Sequence, residues 1–428
     1  MNVDDMIRKI QNGALKAEFE MLYGPDAEKN EKQKQRYITA LKKFAAAYRK
    51  TREAYIMVTP GRTEIAGNHT DHNAGRVIAA SVDLDVLCVF SKSDSNYANV
   101  TSKGYGEFRI SIDELDVRGE EKYTTSALIR GVLARVKQLG YNIGAFDAYV
   151  QSNVLGGSGL SSSAAFEVAL VSVLNELYND GKIDPVENAQ ISQYAENEYF
   201  MKPCGLMDQT ACAVGGFVEI DFLDFKNPIV EKIDYDFGES GYDLIIVDTG
   251  GDHADLNEDY TALEHEMKEV ARALCKPVLR HIPKYMIYDN IASLRHKVND
   301  RAILRALHFH NDNDGVVEQA KALKAGDFDK FKEHVIQSGL SSWMLGQNCY
   351  VGRHYEQQGI TIALAVSENM LKGKGAWRVH GGGFAGTIQA FVPKDITQEY
   401  IKTMEEIFGE KSCYLLYIRP VGTHKIEF

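Results

Sequence analysis

Tyr37, Ile38, Leu41, Phe44 and Tyr48 recur near a 3.6-residue period with Lys and Arg between them. This predicts an amphipathic packing helix in the second half of residues 1–52, with an earlier helix set off by Gly24-Pro25. Ala54 to Thr59 (AYIMVT) is a β-type run that Pro60-Gly61 should end, and Val77 to Phe90 is rich in strand formers. Phe146 to Val150 predicts another strand. An apolar helix follows over about Ser161 to Tyr178, and a further helix over about Val186 to Phe200. Residues 215–223 and 242–248 are strand-like, helical patterns dominate 258–372, and strands are expected at Trp377–His380, Thr387–Val392 and Ser412–Arg419.

Strands and helices mix without a βαβ repeat, which favours α+β over a doubly wound sheet. A boundary falls near 215–240. The expected division is a helical extension (1–52), an N-terminal domain (53–225) and a C-terminal domain (226–428). The 428 residues are enough for at least two cores.

A formal net charge of -12 argues against nucleic acid or an anionic membrane as the main partner. It leaves room for a locally positive site that takes a small anion. The six cysteines are scattered with no CxxC pair, so reduced thiols are expected rather than disulfides or zinc. The N-terminus lacks the apolar core of a secretory signal, and no run approaches the roughly 18 apolar residues of a membrane span. A cytoplasmic protein is expected.

Three segments carry chemistry. Residues 156–163 hold three glycines and four serines after a strand and at the start of an apolar helix. Glycines let backbone approach a ligand, and the first helical N–H groups and the helix dipole favour phosphate. No Lys follows, so this is not a Walker A loop, and the third glycine of a dinucleotide fingerprint is missing. A second segment, Thr59 to Asn73, packs Arg62, Glu64, Asn68, His69, Asp71 and His72 just after a strand. Its carboxylates and amides suit a polyol, whereas two histidines three apart with no cysteine nearby make a poor zinc site. In the third, Gly381, Gly383 and Gly386 satisfy GxGxxG, but a strand rather than a helix follows, which excludes the dinucleotide reading.

The GLSSSAA wording resembles the phosphate-binding loop of the GHMP kinases. Residues 59–73 and Cys204-Gly-Leu-Met-Asp208-Gln resemble signature segments of the galactokinases within that superfamily. The resemblance runs in order from about residue 54 to the end. It implies a two-domain GHMP kinase fold, with an N-terminal domain like ribosomal protein S5 domain 2, a ferredoxin-like C-terminal domain and an active site at their interface. It implies an ATP- and Mg²⁺-dependent sugar 1-kinase, expected as a monomer whose partners are a sugar and ATP.

Carried over position by position, Arg62 and Asp208 become the catalytic pair. Arg62, Asn68, His69, Asp71, Gly205, Asp208 and Tyr260 become sugar contacts, Tyr260 lying seven residues after His253. Gly156, Gly157, Gly159, Leu160, Ser161, Ser162 and Ser163 hold ATP. Ser163 and Glu196, twelve residues before Asp208, become Mg²⁺ ligands. Asn68 stands where the family has a Glu that contacts the sugar C6 hydroxyl, His72 where it has Tyr, and Glu64 where it has Asn. An Asn also tolerates a C6 carboxylate, so galacturonate stands beside galactose as substrate, and a catalytically silent sensor of the same fold is the rival from another class.

Overall fold

The computed structural model describes residues 1–48, 53–154, 160–251 and 256–428. In chain order the described elements are α1 (Val3–Gln11), α2 (Lys16–Tyr23), α3 (Ala27–Tyr48), β1 (Tyr55–Ala66), β2 (Arg76–Lys92), β3 (Tyr97–Ser102), β4 (Gly106–Ser111), α4 (Thr125–Gln138) and β5 (Phe146–Ser152). Next come α5 (Ser162–Tyr178), α6 (Pro185–Tyr194), α7 (Met207–Val214), β6 (Phe217–Asp221), β7 (Ile229–Ile233), β8 (Tyr242–Asp248) and α8 (Asn257–Ala273). The remainder are α9 (Lys284–Leu294), α10 (Asp300–Lys324), α11 (Phe328–Ser341), α12 (Gly359–Leu371), β9 (Ala376–Val379), β10 (Thr387–Pro393), α13 (Thr397–Phe408), β11 (Cys413–Leu416) and β12 (His424–Lys425).

The chain forms two compact units. One comprises residues 1–62, 80–216 and 418–428, and the other 63–79 and 217–417. The main crossing between them falls at 216/217. The division is not consecutive, however, because 63–79 cluster with the second unit and the C-terminal tail with the first. The N-terminal helices also belong to the first unit rather than standing apart.

In the first unit the strand order is β12-β1-β2-β5-β3-β4. β2 pairs antiparallel with β5, and β5 parallel with β3. Gly24, at a positive φ of 85° that glycine adopts freely, ends α2 and lets the chain turn into α3. Tyr37, Leu41 and Phe44 of α3 are fully buried in one cluster with Ile56 and Val58 of β1 and Leu87 and Val89 of β2. The predicted helical stripe is therefore the face that covers the sheet. α5 is apolar almost all round because it is buried almost all round, from Ala164 to Leu177. α6 starts where Asp184 accepts hydrogen bonds from the Val186 and Glu187 N–H groups, with Pro185 in the first turn.

β1 does not stop at Pro60-Gly61 as the sequence suggests. Its registered pairing with β12 covers only Met57 and Val58, so a proline two residues later breaks no hydrogen bond on that edge. Gly61 then lies against the Leu160 carbonyl, where a Cβ would sit 2.8 Å from the oxygen. β3, β4 and α4 lie where the hydrophobic pattern makes no prediction. The β3–β4 hairpin is mostly solvent-facing and buries only Ala98, Val100 and Ile110, too few positions for a clear alternation.

The second unit contains an antiparallel sheet in the order β11-β8-β10-β9. α12 and α13 share its core through Ile360, Ala363, Tyr400 and Met404. A second cluster joins α8, α9 and α10 around Leu263, Met267, Ile287 and Phe309. Among the described residues no helix is long and apolar enough to cross a membrane. The six cysteines form no disulfide.

A buried ionic node organises the first unit. Asp85 of β2 accepts from Tyr23 Oη (2.7 Å), Arg36 Nη1 (2.5 Å) and Arg419 Nη1 (3.2 Å), and both Asp85 and Arg419 are fully buried. It joins α2, α3, the sheet and the C-terminal tail at one carboxylate. Removing one partner of such a buried cluster leaves uncompensated charge, which costs roughly 3–5 kcal/mol. Asp85→Ala is expected to lower the unfolding free energy by about that amount in denaturant titration, and a loss below about 1 kcal/mol would show the node to be dispensable.

Candidate functional site

In the first unit the site begins at Arg62 on β1. Its N–H donates to the Leu160 carbonyl at 3.1 Å, which fixes the strand against the start of α5. Its guanidinium meets Asp208, in the first turn of α7, through two hydrogen bonds of 2.7 Å each, from Nε to Oδ1 and from Nη2 to Oδ2. Such a fork fixes the carboxylate in plane as well as in place. Ser161 Oγ also donates to Asp208 Oδ2. Ser161 adopts a left-handed backbone conformation (φ 58°), uncommon outside glycine.

Burial alone would push the Asp208 carboxyl up. The Arg62 charge, with the hydrogen bonds from Arg62 and Ser161, outweighs burial and holds it below the usual carboxylate range. Its side chain keeps 30% exposure, so it is ionised and reachable.

Next to this pair, Ser163 Oγ donates to Glu196 Oε1 at 3.2 Å. Glu196 lies in a π-helical turn, Ala195–Tyr199, that continues α6. It is almost fully buried, and Lys202 Nζ (3.1 Å) and Gln209 Nε2 (2.9 Å) hold its two oxygens. Glu167 of α5 is fully buried near it, with Oε1 lacking a hydrogen-bond partner. Burial first, then the Glu196 charge, push the Glu167 carboxyl well above its usual range.

A hydroxyl and a carboxylate side by side are hard oxygen donors. They fit a magnesium ion that takes its remaining ligands from phosphate and water. No cluster of three or more His, Cys, Asp or Glu suited to a metal occurs among the described residues, so the protein would supply few ligands. Lys202 at Glu196 shows that this carboxylate already attracts a cation.

Of the expected ATP loop, Leu160 is buried, Ser162 opens α5, and Ser163 faces Glu196. Ser161 is turned to Asp208. Gly156, Gly157 and Gly159 lie outside the described residues, as does His253. Gly205 is exposed in the loop just before α7.

In the second unit, Asn68, His69, Asp71 and Tyr260 gather around the glycine loop 381–383. His69 Nε2 donates to the Gly382 carbonyl at 2.8 Å. Burial first, then His72, lower the His69 pKa to about 4, so the ring is neutral at physiological pH. Tyr260 Oη donates to the Gly383 carbonyl at 2.9 Å, and burial raises its pKa to about 12. The Tyr260 ring lies so close to Gly382 that a Cβ there would sit 2.5 Å from it. Asp71 is partly exposed beside His72 Nε2 at 3.5 Å. Asn68 has no exposure at all, and its amide is bonded throughout to protein groups. In this conformation the amide is closed to solvent, with its donors and its oxygen engaged by protein groups.

Sequence reasoning assigned no role to Lys202, Gln209 and Glu167 around Glu196, or to Arg378, His308, Asp312 and Asn348 around Asn68. A cationic residue six positions after an assigned ligand was a usable signal for Lys202. The others are brought together only by tertiary packing.

Residues 127–216 match the family model for the GHMP kinases N terminal domain, and residues 42–92 match the galactokinase galactose-binding signature. The chain has the GHMP kinase fold and resembles a galactokinase. The galactokinase of Clostridium tetani is 28% identical over 374 residues, covering 86% of this chain and 92% of that protein. The crystal structure of Lactococcus lactis galactokinase complexed with galactose superimposes with a TM-score of 0.77 at 24% identity, covering 91% of this chain and 100% of that one. The Methanococcus jannaschii mevalonate kinase shares the fold more distantly, with a TM-score of 0.61 at 13% identity, covering 86% of this chain and 98% of that one.

The depressed Asp208 pKa has a testable sign. Its contribution to stability is present above the unfolded-state pKa and is lost as pH falls through the lower folded value. Arg62→Gln removes the largest opposing influence and leaves burial to act. Carboxyl-carbon NMR of Asp208 should titrate below the usual range in the wild type and move upward in Arg62→Gln. An unchanged midpoint would dismiss Arg62 as the cause.

Proposed function

We propose that the chain is an ATP-dependent sugar 1-kinase that converts D-galactose to galactose 1-phosphate and ADP. The Arg62–Asp208 fork carries this reading: an ionised, partly exposed carboxylate locked by a guanidinium at the start of a helix, adjoining the Ser163–Glu196 pair. The galactose-binding signature and the galactokinase relative supply the sugar.

Phosphoryl transfer needs chiefly positioning and charge stabilisation. Asp208 accepts the proton of the C1 hydroxyl as that oxygen forms its bond to the γ-phosphorus. The bond from phosphorus to the β–γ bridging oxygen breaks, and ADP leaves with its electron pair. Arg62 keeps Asp208 ionised and orients it, and its charge also stabilises the transferring group. In the variant of this mechanism where Arg62 carries the larger share, proton removal comes late. Ser162, Ser163 and the N-terminal end of α5 suit the ATP phosphates. Ser163 and Glu196 would hold Mg²⁺, whose chemistry is to neutralise phosphate charge. His69, Asp71, Gly205 and Tyr260 are the groups assigned to the sugar.

ADP release from ATP-Mg²⁺ should be measured with galactose, galacturonate, N-acetylgalactosamine, arabinose and glucose, each supplied alone. Strongest turnover on galactose is expected. Turnover confined to another sugar would keep the kinase and replace the substrate. Binding of ATP and galactose with no turnover on any sugar would establish a sensor instead. Asp208→Asn should retain sugar binding and lose about 10²–10⁴-fold in kcat, the usual share of a general base. A near-normal kcat would remove Asp208 from that role.

A further inference from the structure

We propose that Asn68 is a positioning residue rather than a sugar contact, and that with His308 and Asp312 of α10 it locks the polyol loop 67–71 to the glycine loop 381–383. This rests on the sugar-kinase reading and names what orients the sugar-binding groups.

An asparagine side chain has two N–H donors and an oxygen with two lone pairs. In Asn68, Nδ2 donates to the Gly381 carbonyl at 2.7 Å and to Glu64 Oε1 at 3.2 Å. Oδ1 accepts from Asn348 Nδ2 at 2.8 Å and from Ser342 Oγ at 3.3 Å. The backbone is held as fully: the N–H donates to Asp312 Oδ2 at 2.9 Å, and the carbonyl accepts from His308 Nε2 at 3.0 Å. Every polar atom of Asn68 is thus satisfied within the second unit. Turning its amide to a sugar hydroxyl would strip a buried neighbour of its partner, a cost the new contact would have to repay.

The partners are themselves braced. Glu64 is paired with Arg378, which is fully buried. Asp312 also accepts from Ser338 Oγ at 3.0 Å, and His308 Nδ1 lies 2.8 Å from Ser341 Oγ. What the frame presents is the residue after Asn68. His69 is held in a left-handed conformation (φ 59°) with its ring bonded to Gly382, and Asp71 follows in a single 3₁₀ turn. Orientation of these groups, rather than contact with the C6 hydroxyl, is therefore the function of the buried amide.

The decisive experiment compares galactose with 6-deoxygalactose, which lacks the C6 hydroxyl, in wild type and Asn68→Ala. A positioning role predicts that Asn68→Ala raises KM for both sugars by the same factor, about tenfold, the scale of one or two lost buried hydrogen bonds. The KM for ATP should change little. A penalty on galactose at least tenfold larger than on 6-deoxygalactose would make Asn68 a C6 contact and overturn the proposal.

A second pair of variants guards against a misfolded Asn68→Ala. His308→Gln keeps a donor for the Asn68 carbonyl and should hold the sugar KM within about threefold, whereas His308→Leu should raise it like Asn68→Ala. Equal effects of the two His308 variants would count against the frame. If wild-type protein turns over neither sugar, the kinase reading fails on its own. Amide exchange in ligand-free protein then decides the frame: Asn68→Ala should speed exchange in both loops, and unchanged exchange would refute it.

Discussion

The two-point contact between Arg62 and Asp208 is the constraint on which the first unit's chemistry depends. It joins residues 146 positions apart, one on a strand and one at a helix start. Burying a carboxylate is unfavourable unless its charge is matched. Here the matching partner is planar and permanently charged, so the pair fixes orientation and protonation state together. Ser161 completes the arrangement from the third side, which explains its strained backbone: the left-handed conformation sits just ahead of α5, where its hydroxyl reaches Asp208.

The same neighbourhood holds carboxylates in contrasting states. Asp208 is matched by Arg62 and stays ionised. Glu167 is buried without a cation of its own, one oxygen lacks a partner, and its charged form is disfavoured. Glu196 is bridged to Gln209 and met by Lys202. Disfavouring the charged form of Glu167 limits negative charge around a site proposed to take a triphosphate. The arrangement therefore depends on which carboxylates are given cations, and that is decided by packing rather than by the number of acidic residues.

Much of this was legible in the sequence where chemistry is carried by contiguous residues. The serines before an apolar helix, the polar run after β1 and the Cys-Gly-Leu-Met-Asp-Gln segment each stand out locally. The strand, helix and sheet pattern was legible wherever burial alternates or runs continuously, as in β2, α5 and β8. It failed in the β3–β4 hairpin, where one face is open to solvent, and at Pro60, where the neighbouring strand has already ended. Asn68 shows a different limit. Its role as a sugar contact was read from the group it replaces in the family pattern, and its neighbours were not visible in the sequence. The groups that surround it come from α10, the π-helical turn at 342–346, Asn348 and the glycine loop, and no spacing rule links them.

These two kinds of residue bear differently on the rival reading, a sensor without catalysis. A sensor needs an ordered sugar loop, and the Asn68 frame would serve one equally well. It has no need of a carboxylate held ionised by a bidentate guanidinium and left partly exposed beside a hydroxyl–carboxylate pair. Binding alone would be served as well by a neutral acceptor at position 208, without the cost of desolvating a charge. The proposed general-base role of Asp208 accounts for Arg62 and Ser161 both being committed to it. The catalytic reading thus rests on the first unit's ion pair, and the proposed ordering of the sugar loop on the second unit's buried amide.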